Sequence, residues 1–243
     1  IEREVLTNSN LKIVIEPMHG AGRKYMEEIF SRFDVEVINL SPNRDVLFGG
    51  RNPEPILTNL KNLQEKVVKY KADLGLAIDG DGDRIGAFDE KGNFLDPHRI
   101  FSLLTYYLLK DKNKKGDIAK TVNTTSCVNK IAEREGVKLY ETKVGFKHIA
   151  ELMLKEDILI GGEESGGIAF KGHIPERDGI LAALLLTEMV ANKRMKLSEI
   201  YGKFSEEFGN FYYKRYDYKT TPEKTRAVVE FLSKNSLEKI LSS

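Results

Sequence analysis

The sequence has few of the features that would mark a secreted, membrane-bound or nucleic-acid-binding protein. Its single cysteine, Cys127, cannot form a disulfide within the chain and suits a reducing cytoplasm. No apolar run is long enough to span a bilayer, and no signal peptide is visible. Lysine and arginine total 38 against 37 aspartates and glutamates, so the formal net charge is +1. With charges this evenly balanced, the protein has no net electrostatic field that would attract nucleic acid or a membrane surface, and we expect neither as a partner.

Two stretches of the 243-residue chain repeat the same order of predicted elements. In each, short apolar segments typical of buried parallel strands alternate with segments in which apolar residues have helical spacing. The first stretch has predicted strands at 11–16, 35–40 and 72–78, helices at 22–33, 56–70 and 98–109, and a hairpin at 84–96. The second has predicted strands at 117–123, 137–141, 157–161 and 167–170, and helices at 126–135, 146–154, 178–192 and 197–208.

This order predicts an α/β fold of two similar domains, each with a mostly parallel sheet flanked by helices. The polar, lysine-rich segment 110–117 is the candidate linker, and a solvated connection explains it better than a nucleic-acid patch does. We therefore expect one domain at 1–112 and a second at 113–208. The remaining residues, 209–243, contain one predicted helix at 222–234 and are expected to be a linker and the start of an incomplete C-terminal domain.

The loop after the third predicted strand carries three aspartates at alternate positions. Asp79, Asp81 and Asp83 are separated by glycines and followed by Arg84. On a straight strand, carboxylates two residues apart would be about 6.6 Å apart, too far for ligands that lie about 2.1–2.5 Å from one divalent ion. The glycines permit the positive φ that curls the backbone and brings the carboxylates together. The pattern predicts a hard-cation site, and a guanidinium beside it suits a phosphate.

A calcium loop of the EF-hand type is an alternative for the same residues. With Asp79 as position one, Glu90 falls at position twelve, where such loops carry a bidentate glutamate. Position six, however, is Arg84 in place of the glycine that the sharp turn needs, and the flanking segments are predicted strands. Magnesium is therefore the preferred ion, with the calcium loop as the alternative.

Four segments together resemble the α-D-phosphohexomutase superfamily, which contains the phosphoglucomutases and phosphomannomutases. They are DGDGDR at 79–84, VGFKHI at 144–149, GGEESGG at 161–167 and HIPERDGILAALLL at 173–186. The likeness runs from about Leu11 to Phe208, and the pairing of the first and third segments makes it specific.

The resemblance implies a magnesium-dependent mutase that interconverts hexose 1-phosphate and hexose 6-phosphate through a hexose 1,6-bisphosphate. Asp79, Asp81 and Asp83 would bind Mg²⁺, and Arg84 would contact a phosphoryl group carried as a phosphoserine. Catalysis of this kind consists mainly of positioning and charge neutralisation, for which a metal ion and a guanidinium are suited.

The same likeness points to a sugar-selecting loop. Glu163 and Ser165 match family residues that hydrogen-bond adjacent sugar hydroxyls, and Gly162 lets the backbone approach the ring. The alternative is a tight loop whose glutamates are only solvated. Dual-specificity phosphomannomutases more often carry Met at the position of Glu164, and phosphoglucosamine mutases carry Gln. The sequence thus favours glucose 1-phosphate and glucose 6-phosphate, with mannose phosphates as the next candidates.

Three basic residues are further candidates. Lys147 matches a family lysine that serves as an acid/base group or phosphate contact, the alternative being an exposed lysine in a first helical turn. His148 is a substrate-binding candidate, or else a surface or partly packed histidine. Arg177 stands where family members carry a basic residue near the substrate, or is a solvated arginine before a helix that Asp178 caps.

Two family motifs have no match in these 243 residues. One is the phosphoserine motif of an N-terminal domain, similar to T-A-S-H-N-P, and the other is a C-terminal phosphate-binding loop similar to R-x-S-G-T-E-P. The chain also begins with Ile1 instead of methionine. We expect the central domains only, a fragment that binds Mg²⁺ weakly and turns over no substrate by itself. The alternative is a non-catalytic sugar-phosphate-binding or regulatory module of the same fold.

Overall fold

The computed structural model describes residues 1–215 and 218–235 of the chain. Contacts divide the chain into two units, Ile1–Phe211 and Tyr212–Ser243. The first unit contains two mixed sheets with helices packed on them. The predicted α/β class is therefore confirmed.

The first sheet confirms the predicted strands and hairpin. Its strands are β1 (Leu11–Glu16), β2 (Val35–Asn39), β3 (Leu74–Ile78), β4 (Ile85–Phe88) and β5 (Phe94–Leu95). They lie in the order β2-β1-β3-β4-β5, with β1, β2 and β3 parallel and the last two pairings antiparallel. Every residue of β3 and β4 is buried, which explains why both are apolar throughout.

A short helix that the sequence does not predict, α1 (Arg3–Thr7), precedes β1. The predicted helices at 22–33 and 56–70 are α2 (Tyr25–Phe30) and α3 (Lys61–Tyr70), and both are shorter than predicted. The predicted helices at 22–33 and 56–70 each begin with a separate 3₁₀ turn, at Ala21–Arg23 and Leu57–Asn59. A 3₁₀ turn also brings residues i and i+3 to one side, so apolar spacing alone does not separate it from an α-helix.

The second sheet repeats the arrangement of the first. Its strands are β6 (Asp117–Thr121), β7 (Leu139–Thr142), β8 (Ile158–Gly162) and β9 (Ile168–Phe170), in the order β7-β6-β8-β9. The first three strands in that order are parallel, and β9 is antiparallel. Helix α4 (Pro97–Tyr106) contacts β4 and β5 of the first sheet. The remaining helices are α5 (Cys127–Glu135), α6 (Phe146–Lys155), α7 (Gly179–Lys193) and α8 (Leu197–Phe208). Among the described residues, no helix combines the length and apolar character needed to cross a membrane.

Helix α7 joins the two sheets into one core. It contacts β3 and β4 of the first sheet and β9 of the second, and it is apolar on nearly every side. Buried residues of both sheets, such as Ile78 and Ile160, belong to the same cluster. Because the sheets share this core, the loops that follow β3 and β8 are held at fixed positions.

The predicted linker at 110–117 is anchored at Lys112. Helix α4 continues as a π-type turn, Tyr107–Asp111, and Lys112 Nζ then lies 2.5 Å from Oε1 of Glu188 on α7. Glu188 is fully buried, and a buried carboxylate requires a partner of opposite charge. The prediction of a solvated segment is therefore wrong at Lys112, although Lys114 and Lys115 are exposed.

The second unit contains helix α9, Pro222–Lys234, which confirms the predicted helix. Thr221 caps it, since its hydroxyl oxygen accepts the backbone N–H of Lys224 at 3.4 Å. The apolar side chains of this helix, among them Val228 and Phe231, are exposed. The segment predicted at 209–243 also includes 216–217 and 236–243, which lie outside the described residues.

Candidate active site

The carboxyl end of β3 leads into residues 79–84, the aspartate loop, which is organised by the buried carboxylate of Asp79. Oδ1 of Asp79 accepts the backbone N–H groups of Gly82, Asp83 and Arg84 at 3.0, 2.9 and 3.1 Å. Gly82 has a φ of +84°, which glycine adopts without strain. The backbone therefore curls as predicted at Gly82, whereas Gly80 does not have a positive φ. One carboxylate fixes the turn.

Asp81 and Asp83 join Asp79 at this turn. One carboxylate oxygen from each of the three lies within 4.8 Å of the others. Adjacent ligands of an octahedral Mg²⁺, each at about 2.1 Å, are about 3.0 Å apart and opposite ligands about 4.2 Å, so the three oxygens must move closer together to bind one ion. Hard cations also prefer carboxylate oxygen over nitrogen or sulfur. The donor set fits a divalent ion in number and chemistry.

The EF-hand alternative is wrong for this loop. The loop is flanked by strands β3 and β4, where an EF-hand has helices. Glu90, the expected twelfth ligand, is bound elsewhere: its carboxylate accepts the Ser198 hydroxyl at 2.5 Å and the Ser198 N–H at 3.3 Å.

Arg84 is held between Asp79 and Glu54. Its Nε donates to Oδ2 of Asp79 at 2.5 Å, and its Nη1 donates to Oε1 of Glu54 at 3.4 Å. Burial opposes the charge of the guanidinium, but the contacts with Asp79 and Glu54 outweigh burial and raise the pKa of Arg84 above its ordinary value. The side chain is 26% exposed. A fixed positive charge therefore lies beside the three carboxylates, where it can bind an anion.

The aspartates differ in their affinity for a proton. Burial raises the pKa of Asp79, but its bonds with Arg84 outweigh burial and leave that pKa lowered. Burial and the nearby Asp79 carboxylate raise the pKa of Asp83 to about 7, although Arg177 opposes the shift. Two carboxylates this close repel one another, so a cation between them favours the fully ionised pair.

Arg177, in the segment between β9 and α7, links Asp83 to Glu163. Its Nη2 lies 2.6 Å from Oδ2 of Asp83, and its Nη1 lies 3.4 Å from Oε2 of Glu163. The guanidinium carbon is 5.5 Å from the centre of the Phe146 ring, a cation–π distance. One guanidinium thus contacts a candidate metal ligand and a candidate sugar ligand, and the alternative of a merely solvated Arg177 is wrong.

Residues 161–167, the Glu163 loop, begin with the last two residues of β8 and pair with the aspartate loop through the backbone. Arg84 and Gly167 form an isolated antiparallel bridge. The first N–H of α7, from Gly179, donates to the carbonyl of Gly82 at 3.0 Å. The two candidate binding loops are therefore joined to each other and to α7.

Packing accounts for two glycines of the Glu163 loop. A Cβ at Gly162 would lie 2.6 Å from the ring of Phe101, and a Cβ at Gly167 would overlap Cδ of Arg177. Both glycines leave room for a neighbouring side chain of the protein itself. The predicted contact of Gly162 with a sugar stays a prediction.

Glu163 is buried, and Ser165 beside it is half-buried. Burial raises the pKa of Glu163, with Arg177 and the backbone of Gly145 opposing the shift. With its side chain only 9% exposed, Glu163 is not the solvated residue of the alternative interpretation. A buried carboxylate beside an arginine can accept hydrogen bonds from hydroxyl groups.

Lys147 and His148 lie on α6, outside this cluster of charges. Lys147 is exposed in the first turn of α6, and no hydrogen bond or ion pair joins its side chain to another described residue. His148 is half-buried and lines a groove between β7 and α6 together with Tyr140 and Glu151. Their predicted roles at the substrate stay predictions.

The sequence interpretation missed Glu54 and Phe146, which contact Arg84 and Arg177. Glu54 stands between two prolines, and this rigid backbone is the sequence feature that could have marked it as a candidate. Phe146 precedes a predicted site residue, and nothing local indicates that its ring faces an arginine. Both contacts depend on tertiary structure.

The predicted cap of α7 is confirmed. Oδ1 of Asp178 accepts the backbone N–H of Leu181 at 2.8 Å. Its Oδ2 lies 2.9 Å from Nε2 of His173. Asp178 thereby fixes the start of the helix that follows Arg177.

Two family models match consecutive parts of the chain. Residues 1–92 match the model described as phosphoglucomutase/phosphomannomutase, alpha/beta/alpha domain II. Residues 96–208 match the model described as phosphoglucomutase/phosphomannomutase, alpha/beta/alpha domain III.

Curated relatives match over the same region. A phosphoglucomutase/phosphomannomutase of Thermococcus kodakarensis is 32% identical over 200 residues, which is 82% of this chain and 44% of the relative. A probable phosphoglucosamine mutase of Methanobrevibacter smithii is 38% identical over 192 residues, 78% of this chain and 40% of the relative. The chain thus spans less than half the length of these relatives.

Solved structures share the fold. The crystal structure of a putative phosphomannomutase from Thermus thermophilus superposes with a TM-score of 0.82 at 33% identity, covering 86% of this chain and 48% of that one. The open form of Paramecium parafusin, a phosphoglucomutase, superposes with a TM-score of 0.77 at 27% identity, covering 86% and 40%. The resemblance seen in the sequence is confirmed, and this chain belongs to the phosphoglucomutase/phosphomannomutase family.

Proposed function

We propose that this chain provides the metal-binding and sugar-binding part of an enzyme that interconverts hexose 1-phosphate and hexose 6-phosphate. One observation carries the proposal: Asp79, Asp81 and Asp83 converge within 4.8 Å while Arg84 and Arg177 each pair with one of them. Phosphoryl transfer depends mainly on positioning and on neutralising charge, and this arrangement supplies both. Relatives named as mutases support the same activity.

Asp79, Asp81 and Asp83 are the proposed ligands of Mg²⁺. When bound, the ion would neutralise oxygens of the transferring phosphoryl group. Arg84 would bind the same group through its guanidinium, which Asp79 and Glu54 already orient. Because the side chain is ordered beforehand, little conformational entropy is lost when the phosphate binds.

The phosphoryl group would come from a phosphoserine, for which these 243 residues contain no matching motif. A sugar hydroxyl would attack phosphorus, the bond to the serine oxygen would break, and the hydroxyl proton would pass to a base. The product is a hexose 1,6-bisphosphate, which turns over and returns its other phosphoryl group to the serine. Lys147 is proposed as an acid/base group or phosphate contact, and Arg177 as a basic catalytic residue near the substrate.

The sugar is proposed to bind the Glu163 loop. Glu163 would accept hydrogen bonds from sugar hydroxyls, Ser165 would complete the pair, and Gly162 and His148 would line the site. GEES at 162–165 favours glucose, while the phosphoglucosamine mutase names among the relatives make a glucosamine phosphate the main competitor. Comparing kcat/KM of the full-length enzyme for glucose, mannose and glucosamine 1-phosphates decides this, and a preference for glucosamine would overturn the assignment.

We propose that the 243 residues alone turn over no substrate. Given glucose 1-phosphate and a glucose 1,6-bisphosphate primer, they should produce no glucose 6-phosphate, since no serine accepts the phosphoryl group. Clear turnover would contradict this. If the full-length coding sequence also lacks a phosphoserine motif, the alternative of a non-catalytic sugar-phosphate-binding module replaces the enzyme.

The metal site is tested by calorimetry. Mg²⁺ titrated into the chain should give saturable binding, and Asp81→Asn should abolish it because one of the three ligand carboxylates is lost. The hydrogen bonds that shape the loop come from Asp79, so the variant should keep the loop intact. Ca²⁺ should bind more weakly than Mg²⁺. Absence of saturable Mg²⁺ binding, or equal binding by Asp81→Asn, would refute the site.

We further propose that residues 1–112 carry the metal-binding domain, residues 113–208 the sugar-binding domain, and residues 209–243 the start of another.

A cytoplasmic setting is proposed from Cys127, a free thiol whose burial raises its pKa to about 11 and keeps it unreactive. Labelling with a thiol reagent should therefore require unfolding.

A further inference from the structure

Asp83 is at once a candidate metal ligand and the ion-pair partner of Arg177. Its Oδ2 lies 2.6 Å from Nη2 of Arg177, with side-chain exposures of 17% and 29%. An ion pair this close and this sheltered is screened less by water than one on an open surface. The carboxylate of Asp83 is therefore paired with a cation that the protein itself supplies.

We propose that Arg177 is a built-in counter-cation of Asp83, which a divalent ion must displace in order to bind the aspartate loop. The inference rests on the proposed metal site. An ion coordinated by Asp83 would stand a few ångströms from the guanidinium, and two cations that share one carboxylate repel each other. An ion that takes Oδ2 of Asp83 therefore displaces Arg177 from that oxygen.

Arg177 has other partners that can hold it once it leaves Asp83. Its Nη1 lies 3.4 Å from Glu163, its Nε lies 3.4 Å from Glu176, and its guanidinium lies over Phe146. The release therefore leaves no unpaired charge in a half-buried place.

Arg84 is not exchangeable in the same way. Its contact with Asp83 is 3.8 Å, whereas its Nε lies 2.5 Å from the buried Asp79. Displacing it would also disturb Glu54, which pairs with the same guanidinium. Of these two arginines, Arg177 is the one that a metal ion can displace at small cost.

The exchange has two consequences for the site. The ion must break an existing ion pair, so its affinity is lower than three carboxylates alone would give. The same step turns Arg177 from the aspartate loop toward the Glu163 loop, which couples the two loops through one side chain.

Calorimetric titration of MgCl₂ into the wild-type chain and three variants tests the exchange. Arg177→Met should bind Mg²⁺ about tenfold more tightly, because both the competitor and its repulsion are gone. Arg177→Lys keeps the charge and should stay near the wild-type affinity. Arg32→Met, which removes an exposed charge that pairs with Glu28 at the opposite end of the sheet, should change nothing. Unchanged or weaker binding by Arg177→Met would overturn the inference.

If Arg177→Met does not fold, a crystal structure of the wild-type chain tests the same exchange. In crystals of the wild-type chain with bound Mg²⁺, the Asp83–Arg177 contact of 2.6 Å should lengthen beyond hydrogen-bonding distance. An unchanged contact with the ion on Asp83 would overturn the exchange and leave the proposed function intact. If neither wild type nor Arg177→Met binds Mg²⁺, the metal site itself is wrong, and the proposed function with it.

Discussion

Asp79 and Arg84 are bound to each other twice. Oδ2 of Asp79 accepts the Arg84 Nε at 2.5 Å, and Oδ1 accepts the backbone N–H of the same arginine at 3.1 Å. Asp79 is fully buried, so this arginine balances most of its charge. A single carboxylate therefore shapes the aspartate loop and also orients the guanidinium that is proposed to bind phosphate.

Asp79→Asn should destabilise the fold by about 3 kcal/mol, because the amide removes the charged partner of Arg84 and disturbs three backbone hydrogen bonds. Urea unfolding followed by circular dichroism measures the loss. Asp81→Asn is the matched control: Asp81 is exposed, and its replacement should change stability by no more than about 0.5 kcal/mol. Equal losses in the two variants would show that Asp79 does not organise the loop.

Gly162→Ala should destabilise the protein by about 1–3 kcal/mol, since the new methyl group meets the Phe101 ring and the core is overpacked. Gly202→Ala, in the interior of α8, is the control, because a Cβ there meets nothing within 4 Å. That variant should stabilise the chain by about 0.5–1 kcal/mol. Thermal unfolding of both decides the matter. A neutral Gly162→Ala would remove the packing explanation for this glycine.

Glu188 should make the fold sensitive to acid. Burial raises its pKa, but Lys112, the Glu2 amide and Tyr107 outweigh burial, so the pKa lies below its ordinary value of 4.5. A lowered pKa in the folded state means that Glu188 stabilises the fold above about pH 4.5 and loses this contribution as the pH falls through the folded value. The stability gap between wild type and Glu188→Gln should therefore narrow below pH 4.5 in urea unfolding. A gap independent of pH would contradict this assignment.

The strands and the curl of the aspartate loop could be predicted because their signals are local. β3 is a short apolar run that is buried on both faces, and so is the 13–15 segment of β1; such runs are visible without a structure. The convergence of Asp79, Asp81 and Asp83 follows from alternate carboxylates with flexible glycines between them.

The rest of the site depends on contacts between residues far apart in the sequence. Arg177 reaches Asp83 across more than ninety positions, and Glu54 reaches Arg84 across thirty. The sequence places Lys112 in a solvated linker, because its partner, Glu188, is brought close only by the packing of α7. Ion pairs of this kind are set by tertiary structure. Neither the periodicity of apolar residues nor the spacing of motifs in the sequence predicts them.

The proposed metal centre requires that the aspartate loop bind an ion. Crystals of the chain soaked in MnCl₂, with anomalous diffraction measured at the manganese edge, locate a bound ion directly. We expect one ion between the three carboxylates, bound by one oxygen from each, with Arg84 still paired to Asp79. Three carboxylates pointing apart into solvent, with no anomalous peak between them, would contradict the proposed metal centre.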